Sequence, residues 1–317
     1  AMIVDVHSHL NDRALCERVG VGLPPNMLDP EALVEEQERS GIDRSVVSGP
    51  RMMDVAVEKP EIDTADVALR YNEFAAGLVQ RYPDSFVALG IADPAGSDAM
   101  HRTMERGVRE LGLKGFIVSP TAGGEFLDAA VSRPFFELCH ELGAVVFVHN
   151  SDGCLAAEHM RDFRLVELVG RPNDMTILAA RLAFSGLMER LPGLKLLLGR
   201  LGGAITLYAG RIQQGWEVRH SRKPSPGVPA WGPDNIEGSF IDQLRCMHVD
   251  TQTFHPPAIA CAVATMGAER VLLGTDYPPV PRDRAASVAD VREAGLTAAQ
   301  TELVLGGNAR RLFEIGS

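Results

Sequence analysis

The sequence predicts an α/β fold, a (β/α)8 TIM barrel that forms a single domain over residues 1–317. Three observations support this prediction. Eight short apolar runs recur along the chain, helix-like segments separate most of them, and each run is followed by polar, Gly or Pro residues. Strands that are buried on both faces form continuous apolar runs, and their alternation with helices indicates a parallel sheet. Eight such units favour a closed barrel over an open sheet, and this chain length is usual for one barrel domain.

The elements follow one another in a regular order. The predicted strands are Ile3–Val6, Ser45–Val47, Phe86–Ile91, Gly115–Val118, Ala144–Val148, Leu194–Leu198, Met247–Val249 and Val271–Gly274. Helix-like segments lie between most of them, at residues 29–41, 64–83, 97–112, 132–143 and 257–270. Several of these segments begin with Asp, Ser or Thr near a proline and end at Gly, as capped helices do. The segment Ser221–Ser239 is rich in Pro and Gly, which indicates a long excursion after the sixth strand.

Charge and composition exclude several classes of function. Lys and Arg number 31 and Asp and Glu 42, so the formal net charge is −11. This acidic balance argues against nucleic acid or an anionic membrane surface as a partner. No stretch approaches 18 uninterrupted apolar residues, and the N-terminus lacks a secretory signal pattern. The five cysteines are widely spaced, with no CxxC pair, which predicts reduced thiols in a cytoplasmic protein.

Polar side chains follow the predicted strands at the points where catalytic residues of a barrel lie. In a (β/α)8 barrel the active site is built at the C-terminal ends of the strands. The strand exits of this sequence carry three histidines, an aspartate and two arginines, namely His7, His9, His149, Asp276, Arg51 and Arg200. We therefore expect these side chains to meet at one end of the barrel.

The histidines and the aspartate predict a metal site. His7 and His9 are two residues apart on a strand, so both side chains project to the same side. Such a pair alone is a weak signal, because two ordinary histidines can occur at this spacing. His149 and Asp276 strengthen it, since each lies at its own strand exit. Three imidazole nitrogens and one carboxylate are a usual ligand set for a mononuclear catalytic metal ion.

Several segments together resemble a known family. They are "VDVHSH", "LGAVVFVHN", "LAFSGLMERLPGLKLLLGRLGGA", "AGRIQQGWEVRH", "VDTQTFHPPAI", "MGAERVLLGTDYP" and "GNARRLF". In this order they resemble the amidohydrolase superfamily, and within it the amidohydrolase-2 group. That group includes aminocarboxymuconate semialdehyde decarboxylase and decarboxylases of aromatic acids such as γ-resorcylate and 5-carboxyvanillate. The resemblance covers nearly the whole chain.

The resemblance implies a function and a set of ligands. It implies a distorted barrel with one divalent metal ion, usually zinc and in some members manganese, held by His7, His9, His149 and Asp276. The implied reaction is non-oxidative decarboxylation of a small aromatic or unsaturated carboxylate. Two alternatives stay open: a metal-dependent hydrolase or hydratase of a lactone, amide or unsaturated acid, and a catalytically silent metal- or ligand-binding relative.

The sequence departs from the family pattern at one position. The sixth strand of the family is followed by His and three glycines, and the histidine helps to activate a metal-bound water. Here Arg200 replaces the histidine and Leu201 the first glycine. An arginine stays protonated and cannot act as a general base. Arg200 is therefore expected to hold a substrate carboxylate or to stabilise developing negative charge, unless it only pairs with a carboxylate at the strand end or marks an inactive relative.

Other candidates carry weaker signals. Asp250 and His255 are a candidate acid/base pair near the metal, or alternatively cap a strand end. Arg51 is a second candidate contact for an anionic substrate, or an ordinary surface charge. Arg219 matches a position from which some relatives send an arginine into a neighbouring subunit's site. It predicts a homodimer, and the alternative is a solvated helix residue.

Overall fold

The computed structural model describes residues 2–149, 153–221 and 223–316. Within these residues the strands are β1 (Val4–His9), β2 (Arg44–Ser48), β3 (Phe86–Ala88), β4 (Gly90–Ile91), β5 (Gly115–Val118), β6 (Thr121–Ala122), β7 (Glu125–Phe126), β8 (Val145–Val148), β9 (Lys195–Leu198), β10 (His248–Asp250) and β11 (Val271–Leu272). Strands β6 and β7 form a small antiparallel hairpin, and all the other strand pairs are parallel.

The parallel strands close into one ring. Hydrogen bonding divides them into a sheet of β1, β2 and β3 and a sheet of β11, β10, β9, β8, β5 and β4. Leu89 links β3 to β4, so this continuous segment pairs with β2 at its start and with β5 at its end. On the opposite side, the Val6 amide donates to the Leu273 carbonyl and the Asp276 amide to the His7 carbonyl, both at 2.8 Å. The predicted (β/α)8 barrel is therefore confirmed.

The predicted strands agree with the structure within two residues, except at the first. Strand β1 continues through His9, whereas the apolar run ends at Val6. The difference arises because the polar side chains at the end of β1 are buried inside the barrel, as His7 and His9 show, and are not solvated. A polar residue therefore does not end this strand.

Helices surround the ring. They are α1 (Arg13–Val19), α2 (Pro30–Arg39), α3 (Arg51–Ala56), α4 (Thr64–Arg81), α5 (Asp98–Arg109), α6 (Arg133–Glu141), α7 (Arg171–Phe184), α8 (Leu187–Arg190), α9 (Ile205–Glu217), α10 (Phe240–Leu244), α11 (Pro256–Met266), α12 (Arg284–Glu293), α13 (Ala298–Glu302) and α14 (Asn308–Leu312). Each helix-like segment of the sequence overlaps one of them, and only α11 begins outside its segment, by one residue. Asp29 caps α2 as expected, accepting from the Ala32 amide at 3.0 Å, whereas Ser97 and Ser132 make no side-chain cap hydrogen bond at the starts of α5 and α6.

The predicted excursion after the sixth strand position is present, between α9 and α10. Its described residues, 221 and 223–239, contain no helix or strand beyond an isolated bridge of Ser225 with Val228. Trp231 packs its ring 5.2 Å from that of Phe184 on α7. The excursion is therefore anchored on the outer helices.

Two expectations from composition can be compared with the structure. All five cysteines are free, as predicted for reduced thiols. Among the described residues, no helix combines the length and the apolar character that crossing a membrane requires.

A buried ion pair joins the strands under the C-terminal end of the barrel. Arg284 on α12 and Asp5 on β1 are both fully buried, and an Arg284 Nη atom lies 2.7 Å from Asp5 Oδ2. The same guanidinium donates to Ser45 Oγ on β2 at 2.7 Å. The Asp5 carboxylate also accepts from the backbone amides of His7 at 2.9 Å and Thr275 at 3.0 Å. This pair therefore fixes β1, β2 and the segment after β11 relative to one another.

We expect Arg284→Met to lower the free energy of unfolding by about 3–5 kcal/mol, because Asp5 then stays buried without its cation. Urea denaturation would measure the loss. Arg106→Met is the matched control, since Arg106 pairs with Glu73 at 2.8 Å and both side chains are partly exposed. Its expected effect is below about 1 kcal/mol. Equal effects of the two substitutions would contradict the importance given to the buried pair.

Candidate functional site

Three histidines and one aspartate meet at the C-terminal end of the barrel. His7 and His9 end β1, His149 directly follows β8, and Asp276 lies beyond β11. All four residues are buried, and one potential ligand atom from each lies within 4.8 Å of the others. The structure therefore brings together the four residues that the sequence predicted as metal ligands.

The cluster is arranged around one carboxylate oxygen. Asp276 Oδ1 lies 3.0 Å from Nε2 of His9, 3.4 Å from Nε2 of His7 and 3.9 Å from Nε2 of His149. Among the described residues, His7 Nε2 and both ring nitrogens of His149 have no hydrogen-bond partner. Buried polar atoms without partners are costly. A divalent ion among these nitrogens and the carboxylate would satisfy several of them, so the residues fit a metal ion.

Two of the histidines are in the protonation state that a metal requires. Burial lowers the pKa of His149 well below its ordinary value, and the charge of Arg200 lowers it further. Burial also lowers the pKa of His9. Both rings are therefore neutral at pH 7, and neutral imidazole is the form that binds metal ions. Ser48 Oγ lies 3.3 Å from His9 Nδ1, which leaves Nε2 facing Asp276.

His7 lies between two carboxylates. Its Nδ1 donates to Asp250 Oδ2 at 2.6 Å, and its Nε2 faces Asp276. Burial alone would lower the pKa of His7, but the charges of Asp276 and Asp250 and the hydrogen bond with Asp250 outweigh burial and raise the pKa to about 9. A carboxylate bonded to the far nitrogen of a histidine is typical of metal-binding histidines, because it fixes the ring and raises its basicity.

Asp276 combines a rare backbone conformation with an ionised side chain. Its φ is +57°, in the left-handed region that non-glycine residues rarely occupy. Burial would raise its pKa, but the charge of His7, the hydrogen bond with His9 and the charge of Arg200 hold the pKa well below the ordinary value. Its second oxygen, Oδ2, accepts from Gln252 Nε2 at 3.1 Å and lies 3.6 Å from an Arg200 Nη atom. Asp276 is therefore an ionised carboxylate.

The arginine at the sixth strand exit is buried beside this cluster. Arg200 and Leu201 have φ of +53° and +59° in a short helical turn after β9. Leu201 thus keeps the backbone conformation that glycine adopts most readily. Two adjacent left-handed residues cost of the order of 1–3 kcal/mol each, and such strain clusters at functional sites. The Leu201 amide donates to Asp250 Oδ1 at 3.1 Å, which helps to hold the turn.

A cavity of about 920 Å³ opens onto the cluster, a volume that suits a small ligand. Of the described residues that line it, four are arginines and two are acidic, namely Arg51, Arg164, Arg171, Arg200, Glu167 and Asp276. The lining is therefore locally positive although the chain carries a net charge of −11. Apolar side chains complete the walls, among them Leu23, Met27, Leu168 and Phe254. This combination suits a small anion with an apolar body.

The weaker candidates have different positions. Arg51, the first residue of α3, lines the cavity as the sequence suggested. Asp250 is fully buried and bound to His7, whereas His255 is exposed and lies outside the cavity lining. Among the described residues no hydrogen bond or ion pair joins Asp250 to His255, and their acid/base role stays a prediction. Asp250 orients His7.

Arg219 has its contacts within its own chain. Its Nε donates to Asp234 Oδ1 at 2.9 Å, and its guanidinium lies 3.4 Å from the centre of the Trp216 ring. It does not line the cavity of its own chain. Its place near a neighbouring subunit's site, and the homodimer itself, stay predictions.

Several polar residues of the cavity were not found from the sequence, among them Gln252, Arg164 and Arg171. The strand-exit rule overlooks Arg164 and Arg171 because they belong to the long connection between the fifth and sixth strand positions. Gln252 lies two residues after the end of β10, so its position at a strand exit was a signal that could have identified it.

Comparisons with known proteins agree with this geometry. The family model described as "Amidohydrolase" matches residues 4–315. The chain is 30% identical over 289 residues to 2-amino-3-carboxymuconate-6-semialdehyde decarboxylase of Dictyostelium discoideum. This alignment covers 90% of this chain and 76% of that protein. It is 26% identical over 265 residues to gamma-resorcylate decarboxylase of Polaromonas sp. strain JS666, and that alignment covers 79% of this chain and 77% of that protein.

A solved structure shares the fold. It is 5-carboxyvanillate decarboxylase from Novosphingobium aromaticivorans with bound manganese and 3-methoxy-4-hydroxy-5-nitrobenzoic acid. The TM-score is 0.84 at 19% identity, over 99% of this chain and 97% of that one. The fold is thus that of this decarboxylase, and the match of the family model over residues 4–315 shows that the chain belongs to the amidohydrolase family, in the amidohydrolase-2 group that its motifs resemble.

Proposed function

We propose that the protein is a metal-dependent carboxy-lyase that removes CO2 from a small aromatic or unsaturated carboxylate without an oxidant. The observation that carries this proposal is the buried cluster of three histidines and an aspartate at a cavity with four arginines in its described lining. The similar proteins named above are decarboxylases of such acids, which supports the same reaction class.

We propose His7, His9, His149 and Asp276 as the ligands of one divalent ion. Three imidazole nitrogens and a carboxylate oxygen suit zinc, which is our first expectation. Manganese is the alternative, because it is bound in the solved 5-carboxyvanillate decarboxylase. When bound, a divalent ion supplies a Lewis acid that orients the substrate and polarises its oxygens.

The chain's own residues then bind and orient the substrate. The Arg200 guanidinium stays charged, lines the cavity and lies 3.6 Å from Asp276, so it is placed to donate to a carboxylate of a substrate bound at the cluster. Arg51 would contact a further anionic or polar group. In the reaction the bond between carbon and carboxylate breaks, CO2 leaves, and the electron pair stays on the carbon, which takes up a proton from solvent.

The surroundings of the cluster favour decarboxylation over hydrolysis or hydration. Activation of water needs a general base, and Arg200 occupies the position where the resemblance places a histidine base. Outside the cluster, Glu167 is the one carboxylate among the described lining residues, and it lies 2.6 Å from Arg164. The Glu167 carboxylate therefore already has a cationic partner at the cavity wall.

We expect release of CO2 from at least one acid in a panel that includes 2,6-dihydroxybenzoate, 5-carboxyvanillate and dienoic acids. Because a Lewis acid is part of the proposal, chelation should remove most of the turnover, and zinc or manganese should restore it. Lactone or amide opening with proton release but no CO2 would instead identify a hydrolase. A shift of Tm by these acids without turnover would identify a silent binding relative.

We expect Arg200→Met to weaken substrate binding by about 2–5 kcal/mol, because a buried partner of the substrate anion is removed. Metal content should not change, since Arg200 is no ligand. Arg102→Met, at an exposed position of α5, is the control. Arg200→His is the sharper variant. Higher turnover of a typical family substrate by Arg200→His would show that the protein is a decayed or redirected decarboxylase. Loss of an activity that the unmodified protein has would show that Arg200 is a working part of a different mechanism. If neither change at Arg200 alters KM, kcat or stability, its assigned role is wrong.

A further inference from the structure

Gln252 connects two of the carboxylates at the site. Its backbone amide donates to Asp250 Oδ1 at 3.1 Å, and its side-chain Nε2 donates to Asp276 Oδ2 at 3.1 Å. The first bond is an Asx turn, in which an aspartate caps the amide two residues on. The same Asp250 binds His7 Nδ1 through its other oxygen. The turn that orients His7 therefore also determines where the Gln252 side chain begins.

The two oxygens of Asp276 have different neighbours. Oδ1 faces the three histidines, at 3.0 to 3.9 Å. Oδ2 faces Gln252 and Arg200, but only the amide is within hydrogen-bond distance, since the guanidinium is 3.6 Å away. The terminal torsion of an aspartate is soft, so the carboxylate plane is fixed by its partners and not by its rotamer. The charge of Arg200 attracts both oxygens, whereas the amide bond is directional.

We infer that Gln252 is a positioning residue, which fixes the carboxylate plane of Asp276 so that Oδ1 is presented to a divalent ion at the cluster. This inference rests on the proposed metal site and not on the identity of the substrate. Gln252 also lines the cavity, so a direct contact with substrate is the competing role that an experiment must separate.

The test compares Gln252→Met with Gln243→Met. Gln243 is a buried glutamine on α10 whose Nε2 donates to Glu189 Oε1 at 2.7 Å, so its replacement also removes an amide–carboxylate bond, and neither residue lines the cavity. Competition with a chromogenic chelator would give the Kd for zinc and for manganese without any substrate. We expect Gln252→Met to raise these Kd values about 10–100-fold, as for other groups that orient metal ligands. Gln243→Met should leave them unchanged.

Gln252→Asn provides a second variant that keeps the amide but shortens the side chain, and it should raise the metal Kd in the same direction. With saturating metal, both Gln252 variants should lower kcat more than they raise KM, because the change acts through Asp276. An unchanged metal Kd in a folded Gln252 variant would overturn the inference. So would a rise in KM alone, which would make Gln252 a substrate contact. Since metal affinity needs no substrate, absence of decarboxylation would count against the proposed function and not against this role of Gln252.

Discussion

The ion pair between Asp5 and Arg284 is the constraint on which the rest of the site depends. It is fully buried and joins positions 279 residues apart in the chain. Removing such charges from water is expensive, and the cost is offset only where further hydrogen bonds complete the arrangement. Asp5 meets that condition through the amides of His7 and Thr275 and the hydroxyl of Ser8. The ends of β1 and β11, which carry three of the four cluster residues, are thereby held in one register.

Three aspartates have different roles around the proposed metal site. Asp5 binds the backbone of β1, Asp250 binds the far nitrogen of His7, and Asp276 faces the near nitrogens. All three are buried, but each has different donors, so the same side chain serves as anchor, orienter and ligand. Outside this group the cavity presents arginines. The cluster contains an ionised carboxylate, and the cavity beside it is lined by arginines. This arrangement would hold an anion next to a metal ion.

The positions of the strands and of the cluster residues could be predicted from the sequence. Apolar runs located the strands because a strand covered on both faces must be apolar throughout, and the residues after them included all four members of the cluster. The features that the sequence did not predict have physical causes. His7 and His9 continue β1 because buried polar groups that meet partners do not end a strand. The roles of Arg284 and Gln252 depend on contacts with other segments, with Asp5 and Asp276 respectively, which periodicity does not contain. Arg164 lies in a long connection away from the strand exits. Arg219 illustrates the same limit, since its partner Asp234 belongs to an excursion without regular structure.

The central claim is that the four clustered side chains hold one divalent ion. Elemental analysis of the purified protein after dialysis against metal-free buffer tests it most directly, with His149→Ala and the exposed His159→Ala compared side by side. We expect about one equivalent of zinc or manganese per chain in the unmodified protein and in His159→Ala. In His149→Ala we expect less than about half of that content, because one of few ligands is gone. Full occupancy in His149→Ala, or no divalent metal in the unmodified protein even after incubation with zinc or manganese, would contradict the claim.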